Sequence, residues 1–287
     1  MAHATNVVPR LELNDGALIP QLGFGVYQID PAETEQAVST ALDAGYRHVD
    51  TAAAYRNERQ VGESVRRSPE QTFVTTKYMN PTENHGYEDA TAAFQRSLDR
   101  LGLDHVDLYL VHFPVAAGGG YTASWRALTE LRNSDRLRSV GVSNFTSDHL
   151  ARAIEETGVV PAVNQVELHP YFQQAELRED HARRGIATEA WGPLGQGAVL
   201  NDPVLNEIAE AHGKSVAQVV IRWHLQLGTV VIPKSVTASR IRGNFDVFDF
   251  QLSPEQMRSI EALDRADGRN GPDPNTYVFP QEPMPET

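Results

Sequence analysis

The sequence predicts a (β/α)8 barrel, and three observations carry that expectation. Eight short apolar runs alternate with amphipathic segments along 287 residues. The runs lack the clean alternation of a half-solvated sheet, as parallel strands covered on both faces should. The rival architecture, an open doubly wound sheet, announces itself by a glycine-rich first turn. Here "GFGVYQ" supplies Gly23 and Gly25 but puts Gln28 in the third place.

The elements follow in order. Asn14, Asp15 and Gly16 in "RLELNDGALIP" form a hairpin-turn signal, so residues 10–20 are expected as a two-stranded ribbon covering the bottom of the barrel. Strands are expected at 22–28, 48–52, 73–77 and 106–112, then at 139–144, 162–168, 187–192 and 230–234. Between them, "GYEDATAAFQRSLDRLG" places Ala90, Ala93, Phe94, Ser97, Leu98 and Leu101 at helical spacing, with Gly102 to end the helix. "SVAQVVIRWHLQLG" carries a second stripe of Val216, Val219, Val220, Trp223 and Leu227. Ser253 before Pro254 and Glu255 reads as an N-cap. Residues 265–287 are rich in proline, glycine and polar side chains, and are expected as an irregular tail that folds over the mouth around Tyr277. No linker signal interrupts the chain, so residues 1–287 are expected to form a single barrel domain.

Composition narrows the function. With 25 basic and 38 acidic residues the formal charge is −13, which disfavours nonspecific binding to nucleic acid or anionic membrane. The absence of cysteine excludes disulfides, thiolate catalysis and cysteine-ligated metals. No apolar run is long enough to span a bilayer, and "MAHATNVVPRLELNDG" lacks the apolar core of a secretory signal. A cytoplasmic protein is the default expectation, and a monomer the simplest one.

In such a barrel the C-terminal strand ends meet at one mouth, where active sites sit. Asp50 and Tyr55 follow the second strand, Lys77 ends the third and His112 the fourth. Ser143 and Asn144 end the fifth, Gln165 lies in the sixth, Trp191 in the seventh, and Lys234 ends the eighth. Each has an ordinary explanation taken singly: a solvated lysine, a core histidine, a packed tyrosine. Together they make a proton-transfer device. A tyrosine of pKa about 10 keeps its proton at neutral pH, a lysine beside it favours the phenolate left after donation, and an aspartate orients the lysine. His112 can donate to the same substrate oxygen. Such a set suits carbonyl reduction, with hydride arriving from a cofactor.

An anion site accompanies it. "IPKSVTASRIRGN" gathers Lys234, Ser235, Thr237, Arg240 and Asn244 around the last strand end and the next helix start. A basic surface loop is the plain alternative. A lysine and an arginine together suit a 2′-phosphate, which favours NADPH over NADH. Trp191 offers a face for a nicotinamide ring, unless it simply fills the barrel. Ser143, Asn144 and Gln165 could bond the carboxamide, and the glycines of "GPLGQG" allow close approach to a pyrophosphate.

These residues resemble a family, the aldo-keto reductases, and especially a prokaryotic branch similar to 2,5-diketo-gluconic acid reductases. The motifs that carry the resemblance are "GFGVYQ", "GYRHVDTAAAYRNE", "VTTKYMN", "DLYLVHFP", "GVSNF", "NQVELHP", "AWGPLGQG" and "IPKSVT", in that order over nearly the whole chain. The resemblance implies NADPH-dependent reduction of small aldehydes, dicarbonyls or keto-sugars, without a metal. It implies Asp50, Tyr55, Lys77 and His112 as a catalytic tetrad with Tyr55 as proton donor. For the cofactor it implies Val26, Tyr27, Ser143, Asn144, Gln165, Trp191, Gly192, Leu194, Gln196 and Gly197, then Lys234, Ser235, Val236, Thr237, Arg240 and Asn244. Substrate walls would be Tyr27, Met79, His112, Phe113 and Trp191. Many relatives carry tryptophan where this chain has Tyr27, Met79 and Phe113, and a glutamate where it has Gly243, so pocket shape and the clamp on the adenine should differ.

Three other readings compete. A metal-dependent hydrolase wants a His-x-His pair, where this chain has His48 and Asp50. A Schiff-base aldolase on Lys77 leaves the anion site and Trp191 unexplained. A non-catalytic nicotinamide-binding sensor or partner protein could use the same barrel, and the complete tetrad argues against it.

Overall fold

The chain opens with the expected ribbon, β1 (Arg10–Glu12) and β2 (Leu18–Pro20), antiparallel with Arg10 opposite Pro20. Its turn needs a left-handed residue, and Gly16 supplies φ +85°. Leu13 and Ile19 pack on Phe73, Leu108, Ala162, Val163 and Val230, so the ribbon closes the bottom of the sheet that follows. The computed structural model describes residues 8–79, 87–115, 120–132 and 134–278.

Eight parallel strands come next: β3 (Phe24–Gly25), β4 (His48–Asp50), β5 (Phe73–Tyr78), β6 (Val106–Val111), β7 (Leu137–Ser143), β8 (Val163–Glu167), β9 (Ala187–Trp191) and β10 (Val230–Val231). Each pairs in parallel with the next in chain order. The first and last meet as well. Leu22 bridges Val231, Gly23 N–H donates to the Val231 carbonyl at 2.9 Å, and Gly25 N–H to the Pro233 carbonyl at 3.2 Å. The sheet therefore closes into the predicted (β/α)8 barrel. At this seam the two end strands are shorter than expected; beyond β10, Pro233 has no N–H to continue the ladder. Gly23 and Gly25 serve the same seam: a Cβ on Gly23 would strike the His48 ring, and one on Gly25 would crowd the Ile232 carbonyl.

Helices cover the outside: α1 (Pro31–Ala44), α2 (Glu58–Arg67), α3 (Tyr87–Leu101), α4 (Tyr121–Leu131) and α5 (Ser147–Thr157), then α6 (Ala175–Arg184), α7 (Pro203–His212), α8 (Val216–Gln226), α9 (Ala238–Phe245) and α10 (Pro254–Glu261). The predicted stripes face inward. On α3, Ala90, Phe94, Ser97, Leu98 and Leu101 are buried, and Gly102 ends the helix at φ +62°. On α8, Val216, Val219, Val220 and Trp223 are buried. Ser253 caps α10 as expected, its reciprocal partner being Gln256. Among the described residues no helix is long and apolar enough to cross a membrane.

Residues 265–278 form neither helix nor strand. Of the expected irregular tail, residues 279–287 lie outside the described residues. What matters for function is the barrel interior. Near the ribbon it is apolar, with Leu108, Leu110, Val163 and Val230. Higher up it becomes polar: His48, Asp50, Thr75, Lys77, Gln165 and Glu189 are all buried there.

Candidate active site

β4 delivers Asp50 to the mouth, and the chain then makes a 3-10 turn through Ala53–Tyr55. Arg56 ends that turn in the left-handed region at φ +60°. β5 brings Lys77 beside it. The Lys77 ammonium has three hydrogens and finds three acceptors: Asp50 Oδ1 at 2.6 Å, the Thr51 carbonyl at 3.0 Å and Tyr55 Oη at 3.3 Å. It also lies 4.9 Å from the centre of the Tyr55 ring.

Electrostatics follow from that geometry. Burial disfavours the Lys77 ammonium, but the Asp50 carboxylate and the Tyr55 oxygen outweigh it and hold the group above its ordinary value. Burial pushes the Tyr55 hydroxyl up to about 12, with Lys77 pulling against it. Tyr55 therefore keeps its proton at neutral pH. His112, from the end of β6, has its ring 5.6 Å from that of Tyr55. Burial, reinforced by the Lys77 charge, holds its imidazole well below the usual range, so it is neutral.

The expected carboxamide binders are tied to one another and to the residues around them. Gln165 donates its amide to the other Asp50 oxygen at 2.8 Å, a contact possible only across the barrel interior. Ser143 Oγ donates to the Gln165 carbonyl at 2.9 Å. Asn144 is left-handed at φ 64°, donates to the His112 carbonyl at 3.0 Å, and accepts from Trp191 Nε1 at 2.8 Å. The indole is thereby fixed in the mouth, half-buried. Its far edge meets Gly271, where a Cβ would collide with it.

Around the rim, Tyr27 is 56% exposed, with its ring 5.0 Å from that of Tyr55. Phe113, Met79 and Tyr277 form a separate apolar cluster, the Phe113 and Tyr277 rings 4.3 Å apart. The tail thus reaches the mouth at Tyr277.

Beyond Trp191, Gly192, Gly195 and Gly197 all have positive φ, as does Gln196, and Leu194 packs on the core. A Cβ on Gly192 would meet nothing within 4 Å, so the backbone is open on that side of the strand end. Lys234, Val236, Thr237 and Arg240 are exposed where α9 begins, and Ser235 Oγ accepts from Thr237 N–H at 3.1 Å. Thr237 gives α9 no side-chain cap, so it leaves the first-turn amides to other acceptors. Val26 and Asn244 differ from these: both are buried.

Several residues escaped the sequence reading. Asn57 donates to the Val26 carbonyl at 3.0 Å and accepts from Thr51 Oγ1 at 2.9 Å, tying the first loop to the Tyr55 turn. Glu167 accepts from the backbone of Asn270 at 2.7 Å, that of Gly271 at 2.8 Å, and sits 3.1 Å from His169 Nε2. It clips the tail against Trp191. Glu189 is buried in the interior. The available signal was an acid inside an apolar strand, at 167 and 189, which burial makes costly without a partner.

A model described as the aldo/keto reductase family matches residues 21–265. The chain belongs to the aldo/keto reductase family. A relative named aldo-keto reductase from Mycolicibacterium smegmatis is 55% identical over 274 residues, covering 94% of this chain and 98% of that one. Methylglyoxal reductase DkgA of Yersinia pestis is 46% identical, covering 94% and 97%. Among solved structures, a Gox0644 mutant in complex with NADPH superposes with a TM-score of 0.92 at 48% identity, covering 95% of this chain and all of that one. The aldo/keto reductases are oxidoreductases, and the family expected from the eight motifs is the one found.

Proposed function

We propose that this chain reduces small aldehydes, dicarbonyls or keto-sugars to alcohols at the expense of NADPH, with Tyr55 as proton donor. The carrying observation is the Lys77 ammonium, shared between Asp50 at 2.6 Å and Tyr55 at 3.3 Å in the barrel mouth. Similarity to a methylglyoxal reductase supports a dicarbonyl, and similarity to an NADPH complex supports the cofactor.

The donor set fits NADPH. Lys234 and Arg240 beside the uncapped start of α9 suit its 2′-phosphate. The positive-φ loop 192–197 suits the pyrophosphate, and the fixed Trp191 face suits the nicotinamide. Bound there, the cofactor supplies the hydride. The chain's own residues do the rest. A carbonyl oxygen between Tyr55 and His112 accepts a hydrogen bond from each, which polarises the bond. As the carbon gains hydride, the oxygen takes the Tyr55 proton, and Lys77 stabilises the phenolate that remains. Water then reprotonates Tyr55 and the alcohol leaves.

Purified protein mixed with NADPH and a panel of aldehydes should consume the reduced cofactor, followed by its absorbance. Tyr55→Phe should lower kcat by about 10²–10⁴-fold while leaving NADPH affinity intact. Near-normal turnover in that variant would remove Tyr55 as donor. Tight NADPH binding with no turnover of any carbonyl would instead describe a nicotinamide-binding sensor.

A further inference from the structure

Below the Asp50–Lys77 pair the barrel holds a second carboxyl group. Glu189 on β9 is fully buried and stands in register with Gln165 on β8. The groups facing it are His48 and Asp50 from β4, Lys77 from β5 and Gln165 from β8, while β10 contributes Val230 and Val231. Lys77 is the one cation of this set, and its hydrogens are already engaged by Asp50, Thr51 and Tyr55. Gln165 gives its hydrogen bond to Asp50, and neither oxygen of Glu189 has a hydrogen-bond partner among the described residues. His48 Nε2 lies 3.7 Å from Glu189 Oε1 and 3.0 Å from Thr75 Oγ1. An ionised Glu189 would put a second negative charge into a chamber whose single positive charge is taken.

We propose that Glu189 rests as a neutral carboxylic acid and acts as a positioning residue for the tetrad, its loss of a proton setting the alkaline end of the working range. This deepens the carbonyl reduction proposed above and rests on it. Burial, with the Asp50 charge beside it, pushes the Glu189 carboxyl up to about 8. Burial raises Asp50 too, but the hydrogen bonds from Lys77 and Gln165 favour its charged form, so Glu189 is the acid that keeps the proton. His48 supplies no balancing charge, because burial drives its imidazole down to about 3. The sign follows. Above that pH Glu189 becomes negative, its field opposes the phenolate forming on Tyr55, and proton donation slows.

Glu189→Gln keeps the shape of the protonated acid and cannot ionise. The first measurement is kcat against pH for NADPH-dependent reduction in both proteins. The ratio of kcat at about pH 9 to kcat at about pH 7 should rise by up to ~10-fold in the variant, the full effect of removing an ionisation near 8. The second is an infrared titration of the protein alone, which needs neither cofactor nor turnover. The carbonyl stretch of a protonated carboxyl should be present at neutral pH, fade above about pH 8, and be missing from Glu189→Gln. An alkaline limb unchanged by the substitution overturns the proposal, as does absence of the band at neutral pH. The band without any turnover overturns both the reductase reading and the positioning role.

Discussion

Asp50 is held from two directions at once, by Lys77 on Oδ1 at 2.6 Å and by the Gln165 amide on Oδ2 at 2.8 Å. The second contact crosses the barrel from β8 to β4. Gln165→Leu leaves Oδ2 buried without that donor, which should cost about 1–3 kcal/mol of stability. Urea unfolding measures it, and an unchanged midpoint would mean that Oδ2 does not depend on Gln165. A fall in kcat should accompany the loss, because Lys77 is oriented through the same carboxylate.

Lys77→Met removes the cation and leaves the Asp50 carboxyl uncompensated. Breaking one side of a buried pair costs about 3–5 kcal/mol. Adding Asp50→Asn should recover part of that, since the unpaired charge then disappears. Thermal unfolding of the two single variants and the double one completes the cycle. Strict additivity would contradict direct coupling between the two groups.

Arg240 is exposed at the first turn of α9, close in sequence to Lys234. If it pairs with a 2′-phosphate, Arg240→Ala should raise the Kd for NADPH by about tenfold, equivalent to about 1.4 kcal/mol. NADH lacks that phosphate and should be affected by less than about twofold. Fluorescence titration with each cofactor decides the matter, and equal losses would reassign Arg240.

The tail clip should respond to acid. Burial pushes the Glu167 carboxyl up, but His169 and the amides of Asn270 and Gly271 together outweigh it and hold the group below its ordinary 4.5. A depressed carboxylate contributes its stability above the unfolded value and loses it as pH falls through the folded one. Amide exchange at Asn270 and Gly271, corrected for intrinsic rates, should therefore accelerate as pH falls below about 4.5. Glu167→Gln should show the faster exchange already at neutral pH. Protection unaltered by both changes would show that the tail is held by other contacts, such as Arg265 stacked 3.7 Å over the Tyr171 ring.

The sequence exposed most of the architecture because parallel strands buried on both faces read as apolar runs, and the helix stripes repeat at their own period. Asp50, Tyr55, Lys77 and His112 were legible as polar residues at adjacent strand ends, and they do gather. Gln165 was legible as a polar residue there too, but its partner was not. That partner lies 115 residues away on the opposite wall, and no local pattern encodes it. Glu167 and Glu189 were visible as acids inside apolar strands, but their partners were hidden for the same reason. What makes each unusual is the set of neighbours that other strands bring. The shortened β3 and β10 reflect the seam, where register across the closing pair matters more than local propensity.

That seam has a consequence for how the chain matures. Gln21 donates to the Thr229 carbonyl, 208 residues along the chain, and the loops carrying Tyr27 and Lys234 leave the barrel just beyond this junction. Contacts of such separation form late, after the entropy of closing the intervening chain has been overcome. A nascent chain lacking its last quarter has the Tyr55 turn, Lys77 and His112 but lacks β10, Lys234 and α9. Any ligand lying between the two loops clasps the first part of the polypeptide to the last, so its binding reports a finished fold and stabilises the seam by mass action.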